Sequence, residues 1–542
     1  MSAYPGVIDL PAPSPAAGET VASLVAEIRT ICPRPVDVLQ VAALLETAGV
    51  TDGVARQRYG CDNVFELAED VALDITSAGG PAMPHRPPAL PDEARWQAAM
   101  DYLRGPLALV PMILVSVVIL VYQEFGQWSA GKVLALSLSV VGSLLITSGF
   151  VQAASRKGSS YLSQGYISAA RRIVSIIAGL GLATVCLVAV ILAAVASYVA
   201  GAPPDAVATM IVGFVVLSCL WLAAGVLFML NQVHWFGIGL GIGVGLIYAI
   251  MRWFPATYVD QNWVMVAATA IGFGGALLVM LLVMRRTLAR RAAVSPVGGH
   301  RVVLPASPHL VVNLSPYFMY GVLYVVLILA GHVSGWVGRI PAGQAQMVAV
   351  TTTEVGLTIA LCGMILAGGV AERTIGKFWR LVQDYQMDSS PAKPARFGQS
   401  IRCFFASEQK RFALILVLCS CAVTGVVVAA VVVASARGLS LLPLTRETLV
   451  VLALGTIGYG IMALGVFQCM LMITLSVPGM ANRSVLVGIL VTLLVGIAAG
   501  WFFGYQYSTT GVVVGSLAFL LTARRSLNQL LRNVDYYYYA SF

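Results

Sequence analysis

The chain has 542 residues, of which 58% are hydrophobic and 11% are charged, and its formal net charge is +9. A soluble domain carries about 25% charged residues, so the composition excludes a wholly soluble protein and indicates a polytopic membrane protein. The positive charge fits basic loops that contact anionic membrane lipid, and it is no evidence for a nucleic-acid partner.

The N-terminal part of the chain has the composition of a soluble segment. Residues 1–20 are rich in proline and alanine and predict a disordered tail without a signal peptide. Residues 21–76 predict a small cytoplasmic helical module, because "PVDVLQVAALLETAG" has apolar residues at helical spacing. Residues 77–93 are proline-rich and predict a linker. We expect the module to dock a cytoplasmic glycosyltransferase rather than DNA, since its acidic residues outnumber its arginines.

Apolar segments of the length of a membrane span follow the linker, and we count twelve of them. They divide into a first six-helix bundle (94–284), a cytoplasmic loop (285–312), a second six-helix bundle (313–523) and a cytoplasmic C-terminal tail (524–542). The predicted spans are about 105–125, 131–153, 173–200, 207–230, 232–252, 262–284, 313–335, 344–370, 412–435, 447–474, 484–504 and 509–523. The predicted fold class is therefore all-α.

Lysine and arginine residues are concentrated on one side of the predicted membrane layout. They are frequent in every second connection, above all in 285–312 and 371–411, and rare in the connections between. Cytoplasmic loops carry such an excess of basic residues. The distribution therefore predicts a multi-pass protein of the cytoplasmic membrane with both termini in the cytoplasm.

Motifs of enzyme chemistry are absent from the sequence. There is no Walker A motif and no H-E-x-x-H motif, and none of the five histidines has a carboxylate at short spacing. We therefore expect a protein that is not an enzyme and that has no cofactor and no metal site.

A glycine run, "GIGLGIGVG" (237–245), lies in the fifth predicted span. It lacks the spacing and the preceding strand of a dinucleotide-binding loop. Gly237, Gly241 and Gly245 share one helix face, with Gly239 and Gly243 on the opposite side. Glycine at helix surfaces allows close packing of helices, and it also weakens a helix enough to form a hinge. Both interpretations stay open.

Four segments of the second half carry a family resemblance. They are "NLSPYFMYGVLYVVLILAGHVSGW" (313–336), "ERTIGKFWRLVQDY" with the later "FFASEQKRFALIL" (404–416), and the ending from 502 to 542. With the six-plus-six layout, the chain resembles the multidrug/oligosaccharidyl-lipid/polysaccharide exporter superfamily. The second half resembles the membrane component of Pel-type exopolysaccharide transporters. The resemblance implies a flippase or exporter that moves a polysaccharide or lipid-linked glycan by alternating access.

Glu354 is the one carboxylate within the apolar stretch "QMVAVTTTEVGLTIALCGMIL" (346–366). It lies about ten residues into the predicted span, which places it near the middle of the membrane. A charged residue there costs about 2.5–3.5 kcal/mol on insertion scales, so a carboxyl group that gains and loses a proton suits ion coupling. Thr351 lies on the same helix face and can hydrogen-bond it. The alternative is a protonated glutamate that ties two helices together.

Four other polar side chains are candidates for the lining of a transport cavity. They are Tyr317, Tyr320 and Tyr324 in the seventh predicted span and Gln468 in the tenth. The alternative for the tyrosines is packing or anchoring at the membrane surface. His332 is predicted to lie near the outer membrane surface.

Two other functions remain open at this point. One is a membrane scaffold of a polysaccharide synthase complex, and the other is a polytopic glycosyl or acyl transferase. The transferase would need outer catalytic residues, for which Asp205, Asp260 and Glu447 are the candidates.

Overall fold

The computed structural model describes residues 21–32, 35, 38–77, 130–163, 166–254, 261–294, 307–339, 352–388, 394–436 and 445–533. The described residues form helices and no strand. They belong to two compact units. One contains the described parts of Met1–Arg95, Gly376–Cys403 and Asn533–Phe542, and the other those of Trp96–Ile375 and Phe404–Arg532. The predicted all-α class is confirmed.

The N-terminal segment forms four short helices around its own apolar core. They are α1 (Val21–Ile31), α2 (Val38–Thr47), α3 (Asp52–Val54, continued by a wider helical turn over Ala55–Tyr59) and α4 (Val64–Ser77). Ile28, Leu45 and Leu67 are fully buried in this core.

Hydrogen bonds at the start of α4 explain why this helix begins at Val64. The side-chain oxygen of Asn63 accepts from the backbone N–H of Glu66, and the Glu66 carboxylate accepts from the N–H of Asp62. Such reciprocal bonds satisfy amide groups that have no partner within a helix.

Long apolar helices make up the rest of the described structure. They are α5 (Ala130–Ser163), α6 (Ile167–Ala194, extended by Val195–Val199), α7 (Pro204–Met229), α8 (His234–Trp253), α9 (Gln261–Val294), α10 (Ser307–Gly338), α11 (Thr352–Asp388), α12 (Pro394–Ala436), α13 (Arg446–Thr474), α14 (Pro478–Phe503) and α15 (Thr510–Arg532, preceded by a 3-10 turn over Tyr505–Thr509).

Ten of these helices, α5 to α14, are long and apolar enough to cross a membrane. In α15 the apolar stretch ends at Arg524 and Arg525, which shortens it. The predicted first span, 105–125, lies outside the described residues. Each of the other eleven predicted spans corresponds to one helix, including the adjacent fourth and fifth spans, which α7 and α8 form.

The turn between α7 and α8 is a Schellman-type helix end. Asn231 has a positive φ of 62° and donates its N–H to the carbonyl of Phe228, while Gln232 donates to the carbonyl of Leu227. Asparagine tolerates this left-handed conformation better than most residues. The short segment between the two spans therefore reverses the chain.

The same turn recurs between α13 and α14 in the second bundle. Ser476 has a φ of 59° and donates its N–H to the carbonyl of Ile473, while Val477 donates to the carbonyl of Met472. In the six-plus-six layout these are the corresponding helix pairs of the two bundles. The two bundles therefore share the same kind of helix end at this position.

The two bundles contact each other through α5 of the first and α10 of the second. A Cβ added to Gly321 would lie 2.5 Å from the carbonyl oxygen of Ser148, so glycine is needed for this close approach. Next to it, the rings of Phe150 and Phe318 meet edge to face with centroids 5.0 Å apart.

The glycine run lies in α8, which is a continuous helix from His234 to Trp253 and includes Gly237. A Cβ at Gly243 would lie 2.8 Å from the carbonyl oxygen of Gly272 in α9, whereas a Cβ at Gly241 or Gly245 would have no atom within 4 Å. Close packing therefore occurs on the Gly243 face. A hinge at the opposite face stays a prediction.

Candidate functional site

Glu354 lies at the beginning of a described helix rather than in its middle. Helix α11 begins at Thr352, which places Glu354 in the first turn. The side chain of Glu354 contacts His332 in α10. At a rise of 1.5 Å per residue, His332 lies about 9 Å along the helix axis from Gly338, the last residue of α10. The predicted mid-membrane depth of Glu354 stays a prediction, because the residues before Thr352 lie outside the described part of the chain.

Both oxygens of the Glu354 carboxylate have a nitrogen partner on α10. The Nδ1 atom of His332 lies 2.6 Å from Oε2, and the Nε1–H of Trp336 donates to Oε1 at 2.7 Å. His332 is 8% exposed. We call these three residues the carboxylate cluster. Hydrogen bonds to an ionised group are stronger than those between neutral groups, so the Trp336 N–H and the His332 ring nitrogen, when it is protonated, hold the carboxylate in a fixed position.

Two further groups act on the carboxylate cluster from nearby. The guanidinium of Arg339, at the end of α10, interacts electrostatically with Glu354, and its Cζ lies 4.6 Å from the centre of the Tyr505 ring. The buried Tyr459 of α13 lies near Glu354 and donates its hydroxyl to the carbonyl of Ile328. Elements α10, α11 and α13 and the turn before α15 therefore surround this charge.

Small residues allow the helices to approach each other around the cluster. A Cβ at Gly331 would lie 2.6 Å from Val512 of α15, and one at Gly356 would lie 2.8 Å from Val451 of α13. Larger side chains at these positions would separate the helices that enclose Glu354 and His332.

The carboxylate cluster has the chemistry of a proton-binding site. A histidine ring and a carboxylate in contact can hold one proton between them and a second one when both are protonated. The first turn of a helix also stabilises a negative charge. The 2.6 Å separation of the His332 Nδ1 atom and Oε2 of Glu354 suits a proton shared between them. Within the described ranges, no three His, Cys, Asp or Glu side chains lie close enough to bind a metal ion.

The four predicted cavity-lining residues belong to helices α10 and α13 of the second bundle. Thr351 lies outside the described residues. Tyr320 is buried and stacks on Tyr324 with ring centroids 6.2 Å apart. Tyr317 is half-buried and faces the guanidinium of Arg156 at 5.7 Å. Gln468 is 1% exposed, and its Oε1 accepts no hydrogen bond from the described residues. A cavity-lining role for them stays a prediction.

His332, Trp336 and Arg339 are the site residues that the sequence analysis did not assign. His332 is buried against Glu354, and its predicted place near the outer membrane surface stays a prediction. His332 and Trp336 are four residues apart and share a face of α10. In the sequence, two side chains with ring nitrogen atoms at that spacing within an apolar span could have indicated a buried hydrogen-bond partner beside them.

Solved structures with a similar fold are MATE transporters. The Vibrio cholerae MATE transporter VcmN in its bent form has 14% identity and a TM-score of 0.55, over 81% of this chain and 98% of that one. A MATE protein in complex with MaD5 has 13% identity and a TM-score of 0.55, over 80% and 97%. An outward-facing multidrug resistance MATE transporter of the MOP superfamily has 14% identity and a TM-score of 0.52, over 80% and 97%.

These likenesses establish the fold of the chain. MATE structures have twelve membrane helices in two bundles, which agrees with the layout predicted from the sequence. The neighbours are transporters and not enzymes. No protein-family model matches the sequence, and no curated protein matches it.

Proposed function

We propose that this protein is a secondary transporter that exports or flips a polysaccharide or lipid-linked glycan across the cytoplasmic membrane. In this proposal the two bundles alternate between conformations open to either side, and protonation of the carboxylate cluster drives the cycle. The observation that carries the proposal is the buried contact of Glu354 with His332 and Trp336 within a MATE-like fold.

Ionisable residues inside membrane bundles are rare and commonly mark substrate or ion pathways and proton relays. Within the cluster, loss of a proton leaves an anion held by two N–H donors, and gain of a proton weakens that attraction. Proton binding therefore changes how firmly α11 is held to α10. This change is the kind of local event that can shift an equilibrium between two bundle arrangements.

The glycan substrate is supported by the resemblance of the second half to Pel-type exopolysaccharide transporters. The neighbouring solved structures belong to MATE proteins, so fold similarity alone does not select among substrates. The predicted spans carry few lysine and arginine residues away from their ends. This composition favours a neutral glycan over a strongly anionic head group.

Transport by purified protein in lipid vesicles tests the proposal. We expect wild-type protein to move a fluorescent lipid-linked oligosaccharide between leaflets under an imposed pH gradient. Glu354→Gln should reduce the rate about tenfold or more, because the amide cannot exchange the proton and cannot accept from both donors. Full transport by this variant would remove Glu354 from the mechanism.

Glu408→Gln is the matched control. Glu408 is another buried carboxylate of the second bundle, and its Oε2 accepts from the hydroxyl of Thr374 at 3.3 Å. If transport requires the cluster specifically, this variant should retain most of the wild-type rate. Equal losses in both variants would indicate a general structural effect. An assay in which wild-type protein moves no glycan would contradict the proposed substrate.

A further inference from the structure

Arg156 makes a polar contact between the two bundles near the end of α5. Its Nη2 atom donates to the carbonyl oxygen of Thr474 at 3.1 Å and to the hydroxyl of Ser476 at 2.9 Å. Its guanidinium also faces the ring of Tyr317 at 5.7 Å. Arg156 belongs to α5 of the first bundle, and all three partners belong to the second bundle.

The partners of Arg156 lie at the end of a helix. Thr474 is the last residue of α13, and Ser476 is the left-handed residue of the following turn. Carbonyl groups at a helix C-terminus have no partner within the helix and carry partial negative charge. An arginine is therefore well suited to bind there, and the contact is charge-assisted.

The corresponding turn of the first bundle shows that such binding does not require a contact between bundles. There, the Nη2 atom of Arg291 donates to the carbonyl oxygen of Leu230 at 2.9 Å. Arg291 lies in α9, and Leu230 follows α7, so both residues belong to the first bundle. In the first bundle, the arginine that donates to the helix end belongs to the same bundle. In the second bundle, the arginine that donates to the helix end belongs to the opposite bundle.

We propose that Arg156 is a latch that holds the two bundles together at this end of the membrane region. The inference rests on the bundle motion of the proposed function. When the bundles separate here, Arg156 loses its acceptors, and the end of α13 loses its donor. The contact between Arg291 and Leu230 persists, because its two helices move as one body. The latch therefore stabilises the conformation that is closed at this end, which the charge distribution predicts to be the cytoplasmic one.

Distances between spin labels on the two bundles test the latch. Arg172 in α6 and Arg483 in α14 are exposed and lie near the same end of the membrane region. Both are changed to cysteine and labelled in a protein whose nine native cysteines are replaced. Double electron–electron resonance in detergent or nanodiscs then measures the populations of the closed and open distances.

Arg156→Ala should raise the ratio of open to closed molecules about tenfold, the size expected when a hydrogen bond to a charged group is lost. Arg291→Ala is the matched control, because it removes the same kind of bond within one bundle, and it should leave the distances unchanged. An unchanged distribution in Arg156→Ala, or an equal shift in both variants, overturns the latch.

If the Arg156→Ala protein does not fold, Ser476→Gly provides a second test of the latch. Glycine adopts the left-handed turn without strain, and the variant loses one of the two acceptors of Arg156. It should show a smaller shift in the same direction, and no shift would overturn the latch. The distance measurement needs no substrate. A failure of glycan transport therefore leaves this test intact.

Discussion

At the scale of single residues, the structure explains how a carboxylate is tolerated in an apolar helix. Glu354 accepts a hydrogen bond from Trp336, contacts the Nδ1 atom of His332 at 2.6 Å, and lies in the first turn of α11. Each of these interactions favours the charged form, so the cost expected for an isolated charge in the membrane is offset by local partners. The residue therefore combines burial with ionisation, which a coupling site needs.

The contact between His332 and Glu354 predicts that their substitutions act as one unit. We expect His332→Gln and Glu354→Gln each to reduce transport strongly and the double variant to be no slower than the worse single variant. Two groups in one hydrogen-bonded pair typically show an interaction energy of about 0.5–3 kcal/mol. Transport rates of the four proteins in vesicles measure this energy. Additive effects would show that the two residues act independently.

The sequence indicated Glu354 as a site residue but not its partners. His332 and Glu354 are 22 residues apart and lie on different helices, so no local spacing brings them together. Their contact depends on how α10 packs against α11, which tertiary structure determines.

At the scale of elements, the apolar pattern was sufficient to predict the long helices. Segments of about twenty apolar residues have few alternatives to a membrane helix, because backbone polar groups must be satisfied within the segment. The turns after α7 and α13 were harder to predict. They use Asn231 and Ser476 rather than glycine in the left-handed position, so the usual residue that marks such a turn is absent from both.

The glycines of α8 give a prediction at this scale. Gly243→Ala should destabilise the protein, because its Cβ would meet the backbone of Gly272 at 2.8 Å. Gly241→Ala should raise stability slightly, by about 0.5–1 kcal/mol, because nothing lies within 4 Å and alanine favours the helix. Thermal unfolding in detergent measures both effects.

Transport by the Gly241→Ala variant separates the two interpretations of the glycine run. Normal transport together with raised stability would show that the glycine run serves helix packing on the Gly243 face and is not a hinge. A loss of transport with raised stability would support a hinge on the face that contains Gly237, Gly241 and Gly245. A destabilised Gly241→Ala protein would contradict the open space that the structure shows beside this residue.

At the scale of the whole molecule, the small N-terminal helices and the membrane helices have separate cores. The apolar core of α1 to α4 consists of residues between Leu24 and Ile75. Its exposed apolar side chains Phe65 and Leu73 lie on α4 among acidic residues. These features support a docking role for residues 21–76, which stays a proposal.

Removal of residues 1–93 tests that role. We expect the truncated protein to insert and to transport glycan in vesicles at close to the wild-type rate, since the carboxylate cluster lies wholly in the second bundle. In cells, the truncation should abolish co-purification of the cytoplasmic glycosyltransferase. Loss of transport in vesicles would show that the module belongs to the transport machinery. Intact co-purification would contradict docking on residues 21–76.

The layout of the molecule was more predictable than its site. Span count and charge alternation are sums over many residues, so one misassigned residue has little effect on them. The predicted twelve-helix, two-bundle fold agrees with MATE structures. The contact of Arg156 with Thr474 and Ser476 joins residues more than 300 positions apart. Contacts of this kind depend on how whole bundles meet, and the sequence pattern contains no information about that.

Proton movement in vesicles tests the central claim most directly. Purified protein is reconstituted with a pH-sensitive dye trapped inside, a pH gradient is imposed, and its decay is followed with and without lipid-linked oligosaccharide. The account predicts that the oligosaccharide accelerates the decay with wild-type protein and with Glu408→Gln, and has no effect with Glu354→Gln. An equal acceleration by Glu354→Gln would contradict the claim that the carboxylate cluster couples proton movement to transport.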